Sequence, residues 1–156
     1  MKQALLIVDV QPCFEPPAWL VERARILSAA FPSVATVEHH DEDIVPFQKQ
    51  LGWHPATDDQ SLVEADHVVI KHGYGPTTEA IELLKGFSPV RVLVCGIQAE
   101  TCVLAAGFAL FDAGLHPTLI SDTVVGSSLD RSGKLGVKLW EHHFGQVVHS
   151  YKDLLA

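Results

Sequence analysis

Basic residues are scarce in this chain. Only 11 lysines and arginines stand against 19 aspartates and glutamates, which gives a formal net charge of −8 over 156 residues. Binding of nucleic acid needs a basic face that neutralises phosphates, so this balance argues against a nucleic-acid partner. The hydrophobic fraction of 47% is too high for a disordered chain. These values predict one acidic globular domain that spans residues 1–156.

Cysteine is also sparse. The three thiols, Cys13, Cys95 and Cys102, are spread along the sequence without CxxC spacing. Such a set excludes a disulfide framework and a cysteine-rich zinc knuckle. We therefore expect reduced thiols, any one of which could serve as a nucleophile.

Long apolar runs are missing as well. The first apolar stretch, Ala4 to Val8, ends at Asp9, and no later stretch reaches 18 uninterrupted apolar residues. A signal-peptide core and a membrane-spanning helix both need longer runs. We expect a cytoplasmic protein without membrane contact.

Strand-length apolar runs alternate with helix-like segments. Strands are predicted at residues 4–10, 33–38, 67–71, 91–95, 117–121 and 146–150. Helices are predicted at residues 18–30, 46–51, 78–85, 100–112 and 129–143. This alternation is typical of βαβ units. It predicts a doubly wound three-layer α/β/α sandwich with a six-stranded, mostly parallel sheet.

Polar residues follow several of these strands directly. They are Asp9, Glu38 with His40, Lys71, and the turn from Gly96 to Cys102. In open parallel sheets, ligands bind outside the carboxyl ends of the strands. We therefore expect the chemistry of this protein at that edge of the sheet.

Cys102 falls in the first turn of a predicted helix. The positive end of a helix dipole lowers the pKa of a thiol there, and the unpaired N–H groups of that turn can bind an oxyanion. Position alone leaves simple core packing as the commoner use of such a cysteine.

Asp9 and Lys71 each end an apolar strand, where a half-buried charge needs a partner. They can pair with each other as a structural ion pair. Placed beside a thiol, they suggest a different use, with Asp9 as general acid and base and Lys71 holding it ionised.

Three motifs in order resemble the isochorismatase-like cysteine hydrolases, a family that includes nicotinamidases and N-carbamoyl-amide hydrolases. Asp9 to Phe14 matches an Asp-x-Gln-x-x-Phe opening, Ile70 to Tyr74 matches the lysine segment, and Val94 to Val103 matches the nucleophile turn. Ile120 to Thr123 is similar to the family's strand-end acid segment. The resemblance runs from Ala4 to about Val148 and covers nearly the whole chain.

The resemblance implies a catalytic triad of Asp9, Lys71 and Cys102. It also implies a cis peptide bond between Ile97 and Gln98, with the backbone N–H groups of Gln98 and Cys102 as the oxyanion hole. Isochorismatases proper lack the cysteine, so Cys102 favours hydrolysis of a C–N bond in a small amide or ureido compound through a thioester. We expect a homo-oligomeric enzyme that needs no cofactor.

Some positions depart from the family pattern. Cys13 replaces a residue that is often acidic or Asn, and Ala99 replaces a frequent Thr. The loop from Lys71 to Thr78 is shorter than usual. These departures bear on the identity of the substrate more than on the chemistry.

Metal and substrate contacts are the remaining questions. Glu38 and His40 occupy the place of the Asp-x-His metal pair of nicotinamidases, and His54 follows downstream. These three residues are weak metal candidates. Phe14 and Tyr74 are the residues we expect to contact a planar substrate, although Phe14 could equally pack in the core.

Two other functions stay open. Ala99 and the short loop would suit a non-catalytic, oligomeric binding protein of the same fold. A redox role would pair Cys102 with Cys13 or Cys95, but it leaves Asp9 and Lys71 without a task.

Overall fold

The computed structural model of the chain describes residues 2–156, so Met1, the first residue of the predicted domain, lies outside the described residues. Six parallel strands form one sheet in the order β3-β2-β1-β4-β5-β6. Their bounds are β1 Gln3–Val8, β2 Ser33–Glu38, β3 His67–Lys71, β4 Arg91–Ile97, β5 Pro117–Val125 and β6 Val147–Val148. The predicted α/β class and six-stranded sheet are confirmed.

Helices cover both faces of this sheet. They are α1 Ala18–Ala30, α2 Phe47–Leu51, α3 Thr78–Gly86, α4 Cys102–Asp112 and α5 Lys134–Phe144, with short 3-10 helices at Pro12–Phe14 and Tyr151–Leu154. Side chains of α3, α4 and α5 share one core cluster with the sheet, and α1 belongs to the cluster on the opposite face. No helix among residues 2–156 is long and apolar enough to cross a membrane.

The apolar run of β1 is explained by its central position. Leu5, Leu6, Ile7 and Val8 are all buried because successive side chains meet the two opposite core clusters. A strand covered on both faces needs no polar alternation.

The topology gathers the polar strand ends. β1 lies between β2 and β4, and the strand order changes direction at β1, which is where crevices form in such sheets. Glu38 pairs with Lys71 in register across β2 and β3. Asp9 follows β1 directly, and the turn before Cys102 follows β4.

The last third of the chain differs most from the sequence prediction. β5 continues to Val125 after a register shift against β4, and α5 begins at Lys134 rather than at residue 129. The reason is the carboxylate of Asp130, which accepts hydrogen bonds from the backbone N–H groups of Ser132 at 3.2 Å and Leu135 at 2.7 Å. These bonds hold the preceding residues in a loop.

The long segment between β2 and β3 contains one short helix, α2, as predicted near residues 46–51. Backbone bonds attach this segment to the strand ends: Leu62 donates to the carbonyl of Val10 at 2.9 Å, and His40 donates to that of Ala56 at 3.0 Å. The segment therefore forms a fixed wall beside the end of the sheet.

Candidate active site

Asp9 is buried at the end of β1 with a left-handed backbone (φ 52°). That conformation costs a non-glycine residue about 1 kcal/mol and aims the side chain away from the strand direction. Thr36 Oγ1 donates a hydrogen bond of 2.8 Å to Asp9 Oδ1, and Lys71 Nζ lies 2.9 Å from Asp9 Oδ2. Burial raises the pKa of Asp9, and Lys71 and Thr36 oppose that shift.

Lys71 is the one cation in this group. Its ammonium donates to the carbonyl oxygens of Gly73 at 2.6 Å and Tyr74 at 3.1 Å, besides pairing with Asp9. Burial disfavours the charge, but the anionic side chains around it outweigh burial and raise the pKa of Lys71. Lys71 therefore stays protonated across the physiological range.

Cys102 is the first residue of α4 and is 5% exposed. Its Sγ and carboxylate oxygens of Asp9 and Glu38 lie within 4.8 Å of one another. Burial and these carboxylates raise the pKa of Cys102 well above its ordinary value. This direction is opposite to the one expected from the helix N-terminus, because burial and two nearby carboxyl groups outweigh Lys71. Attack by this sulfur requires a base, and Asp9 is placed to be one.

The turn before α4 is held by the carbonyl of Gln98, which accepts from the N–H groups of Thr101 at 3.0 Å and Val103 at 3.1 Å. The peptide bond between Ile97 and Gln98 is cis. Gln98 and Cys102 both line the cavity described next.

A cavity of about 640 Å³ opens at this edge of the sheet. Its lining residues are Cys13, Phe14, Glu15, Glu38, Trp53, Tyr74, Ile97, Gln98, Thr101, Cys102, Ser127, Ser128 and Arg131. The structure thus places Phe14 and Tyr74 in the wall, together with Trp53. Arg131 lies in a loop that the sequence predicted as helix from residue 129, and Ser127 and Ser128 directly precede that predicted helix, so sequence reasoning named none of the three.

Glu38 was named from sequence as a polar strand end and a metal candidate but not as part of the triad, and its carboxyl group lies within the site. Oε2 is 3.8 Å from Lys71 Nζ and 4.0 Å from Cys102 Sγ. The side-chain amide of Gln11 makes two hydrogen bonds to the backbone of Glu38. Its oxygen accepts from the Glu38 N–H at 2.7 Å, and its nitrogen donates to the Glu38 carbonyl at 2.8 Å. A charged residue that ends a buried strand was the signal available, as it was for Asp9.

The metal candidates do not converge. The rings of His40 and His54 stack with centroids 4.3 Å apart. Because the two ring planes are nearly parallel, the nitrogen lone pairs, which lie in those planes, do not point to one position. His40 Nε2 faces Glu42 Oε1 at 3.0 Å, whereas the Glu38 carboxyl faces Cys102. Within residues 2–156, the one group of three ligand types is Asp9, Glu38 and Cys102, and the ammonium of Lys71 already pairs with it. Glu38, His40 and His54 thus form no such group in this arrangement.

Ala99, one of the departures from the family pattern, has a packing explanation. It is fully buried, and a Cβ on Gly136 of α5 would lie 2.5 Å from Ala99 atoms. The turn and α5 thus approach too closely for larger side chains on either residue.

Comparisons with known proteins agree with this geometry. An isochorismatase-domain family model matches residues 3–151. Isochorismatase domain-containing protein 2 of Danio rerio is 26% identical over 137 residues, which is 80% of this chain, and the match spans 63% of that relative's length.

Solved structures share the fold. An N-carbamoylsarcosine amidase from Thermoplasma acidophilum superposes with a TM-score of 0.77 at 22% identity, covering 97% of both chains. A pyrazinamidase of Pyrococcus horikoshii, solved in complex with zinc, has a TM-score of 0.78 at 21% identity, covering 95% of this chain and 99% of that one. With the family model matching nearly all of its length, this chain belongs to the isochorismatase domain family.

Proposed function

We propose that the protein is a cysteine hydrolase that cleaves the C–N bond of a small amide or ureido compound through a thioester on Cys102. The observation that carries the proposal is the meeting of Asp9, Lys71 and Cys102, which come from three separate segments, with Cys102 in the wall of the cavity. A structural ion pair would not need a thiol beside it.

The first half-reaction begins with the neutral thiol. Asp9 takes the Sγ proton while sulfur bonds to the carbonyl carbon, and the carbonyl oxygen becomes an oxyanion. The backbone N–H groups of Gln98 and Cys102 are the proposed donors to that oxyanion. Asp9 then gives the proton to the nitrogen, the C–N bond breaks, and ammonia or an amine leaves.

The second half-reaction hydrolyses the thioester. Asp9 takes a proton from water, the hydroxide oxygen bonds to the acyl carbon, and the C–S bond breaks. The sulfur recovers its proton from Asp9, and an acid is released. Lys71 opposes the effect of burial on Asp9, which favours the ionised carboxylate between these transfers, and it stabilises the negative charge that develops beside it.

Two of the structural relatives are amidases by name, which supports C–N hydrolysis. The exposed side chains of Trp53 and Tyr74, 46% and 44% accessible in the cavity wall, support contact with a small planar group, as does Phe14. The three free thiols suit a reducing compartment, and the proposal includes a homo-oligomer in the cytoplasm.

Ammonia release from nicotinamide, pyrazinamide and N-carbamoyl compounds tests this proposal. We expect Cys102→Ala to lose at least about 10³-fold in kcat/KM, with an unchanged circular-dichroism spectrum. Cys95→Ala is the matched control, because Cys95 is buried on the other side of the sheet, and its activity should stay within about twofold. Undiminished turnover by the Cys102→Ala protein would contradict the proposal. The absence of turnover with every compound would favour the non-catalytic binding protein.

The redox alternative is less supported. Burial raises the pKa of Cys13 to about 11, and Asp59 adds to that shift. Burial raises the pKa of Cys95 to about 12. Neither thiol is readily ionised at neutral pH, so neither is a good partner for thiol exchange.

A further inference from the structure

The reaction proposed above gives Glu38 no task, although its carboxyl group is the most deeply buried acid in the cavity wall. The side chain is 2% exposed, and Glu38 is one of the lining residues. Burying a carboxyl group is unfavourable unless its oxygens are hydrogen-bonded. The hydrogen-bond partners of its two oxygens therefore decide how unfavourable this burial is.

Lys71 does not donate a hydrogen bond to the Glu38 carboxyl group. An ammonium group has three N–H donors. Two of them go to the carbonyls of Gly73 and Tyr74, and the third side of the ammonium faces Asp9 at 2.9 Å. At 3.8 Å, Glu38 Oε2 is beyond hydrogen-bonding distance of Lys71 Nζ.

The remaining contacts are also poor. Glu38 Oε2 has only the weak thiol donor of Cys102 at 4.0 Å, and Oε1 has no partner among the described residues. Burial, with a further contribution from Asp9, raises the pKa of Glu38 to about 7. An apolar residue would fill the same volume without that cost, so the missing partner is expected from the cavity.

We propose that Glu38 is a specificity-determining residue that binds an N–H group attached to the reacting carbonyl carbon, and that the preferred substrates are ureido compounds. This inference rests on the proposed function for the reacting centre. The recognised group is the second nitrogen of the ureido unit, the one that stays with the acyl part.

The geometry of the reacting carbon supports this choice. Once sulfur has bonded to it, the carbon carries an oxygen and two further substituents. The oxygen faces the N–H groups of the turn, and the leaving nitrogen faces Asp9, which protonates it. The remaining substituent is left for Glu38, whose Oε2 is 4.0 Å from Sγ. A ureido compound places an N–H there, whereas a carboxamide on a ring or chain places a carbon that leaves the carboxyl unpaired.

Two probes isolate that one group. N-carbamoylglycine and succinamic acid have the same length and end groups, and differ by NH in place of CH2 beside the carbonyl. Because the two carbonyls differ in intrinsic reactivity, the informative quantity is the ratio of their kcat/KM values, compared between the wild-type protein and Glu38 variants.

We expect Glu38→Leu to lower the ratio of N-carbamoylglycine to succinamic acid by at least about tenfold, the effect of losing one hydrogen bond to a buried carboxyl. Glu38→Gln keeps an acceptor oxygen and should retain part of the preference. A merely structural role would lower both kcat/KM values together and leave the ratio unchanged, and that result would overturn the inference.

A binding measurement separates this inference from the proposed function. In the Cys102→Ala protein, calorimetric titration should show N-carbamoylglycine binding at least about fivefold more tightly than succinamic acid, and adding Glu38→Leu should abolish the difference. This preference without any ammonia release from the wild-type protein would refute the proposed function alone. Ammonia release with no Glu38-dependent preference, or no binding of N-carbamoylglycine at all, would refute the inference alone.

Discussion

Four ionisable side chains share a volume that solvent scarcely reaches. Asp9, Glu38 and Cys102 surround the ammonium of Lys71, and each of them is buried. Lys71 is the counter-ion for the whole group, so its charge has both a structural and a chemical task. Removing one partner from a buried ionic group leaves the others uncompensated.

Replacing Lys71 by Met should therefore lower the free energy of unfolding by about 3–5 kcal/mol. Denaturant titration near neutral pH measures it. Lys85→Met is the control, because Lys85 is 45% exposed and meets only Glu82, at 3.3 Å; its effect should stay below about 1 kcal/mol. Equal effects of the two substitutions would show that Lys71 does not hold a buried ionic group together.

Glu38 should make stability depend on pH in a defined direction. Its pKa is about 7 in the folded protein against 4.5 ordinarily, because burial and Asp9 outweigh Lys71. The folded state therefore holds the proton more tightly than the unfolded state, so Glu38 contributes most below pH 4.5 and its contribution is lost as pH rises through 7. Glu38→Gln should gain stability relative to the wild type by about 3 kcal/mol between pH 4.5 and pH 8. A constant difference across that range would contradict the account.

At the scale of elements, the sequence predicted some boundaries to the residue and missed others for a physical reason. α1, β2 and β3 were correct because proline and apolar runs with clear ends mark them. β5 and α5 were not, because a register shift and hydrogen bonds to Asp130 decide where they end and begin. Such tertiary contacts leave no periodic signal.

The residues of the candidate site also fall into some that the sequence predicted and some that it did not. Asp9, Lys71 and Cys102 could be found because a charge or thiol at the end of an apolar strand is unusual. Glu38 gave the same signal, although its distance from Cys102 is set by the tertiary structure. The contribution of Ser127, Ser128 and Arg131 to the cavity depends on a loop path that periodicity does not encode.

The contact of α5 with the nucleophile turn provides a test at this scale. A Cβ on Gly136 would lie 2.5 Å from the backbone carbon of Ala99, so Gly136→Ala has to displace the helix or the turn. We expect a loss of about 1–3 kcal/mol in unfolding free energy, and a lower kcat from displacement of Cys102. Gly86→Ala in α3 is the control, because a Cβ there has open space; it should be neutral or slightly stabilising. Equal effects of the two substitutions on the free energy of unfolding and on kcat would show that α5 and the nucleophile turn are not closely packed.

At the scale of the whole molecule, large apolar side chains remain exposed on two separate faces. Val68 and Ile70 lie on the edge strand β3 and are 52% and 49% exposed, and Phe108 and Phe111 lie on α4 at 42% and 55%. Large exposed apolar patches commonly mark sites of association. The short chain also leaves few inserted segments to shape the cavity.

We therefore expect light scattering to give the solution mass of a dimer or a higher oligomer of the 17.0 kDa chain. Phe111→Asp should shift the population towards the monomer by placing a charge in that face. Leu129→Asp is the control, since Leu129 is 76% exposed and lies in the loop between β5 and α5 rather than on β3 or α4. A monomer at all concentrations would contradict the expected homo-oligomer.

The most direct test of the central claim is to trap the acyl group on the protein. Acid quench during turnover of a compound that releases ammonia, followed by peptide mass spectrometry, should show the mass of the acyl part on the peptide that contains Cys102. No such mass should appear on the peptides of Cys13 or Cys95. Ammonia release at an undiminished rate in Cys102→Ala, with no acyl group on Cys102 in the wild-type protein, would contradict the thioester mechanism.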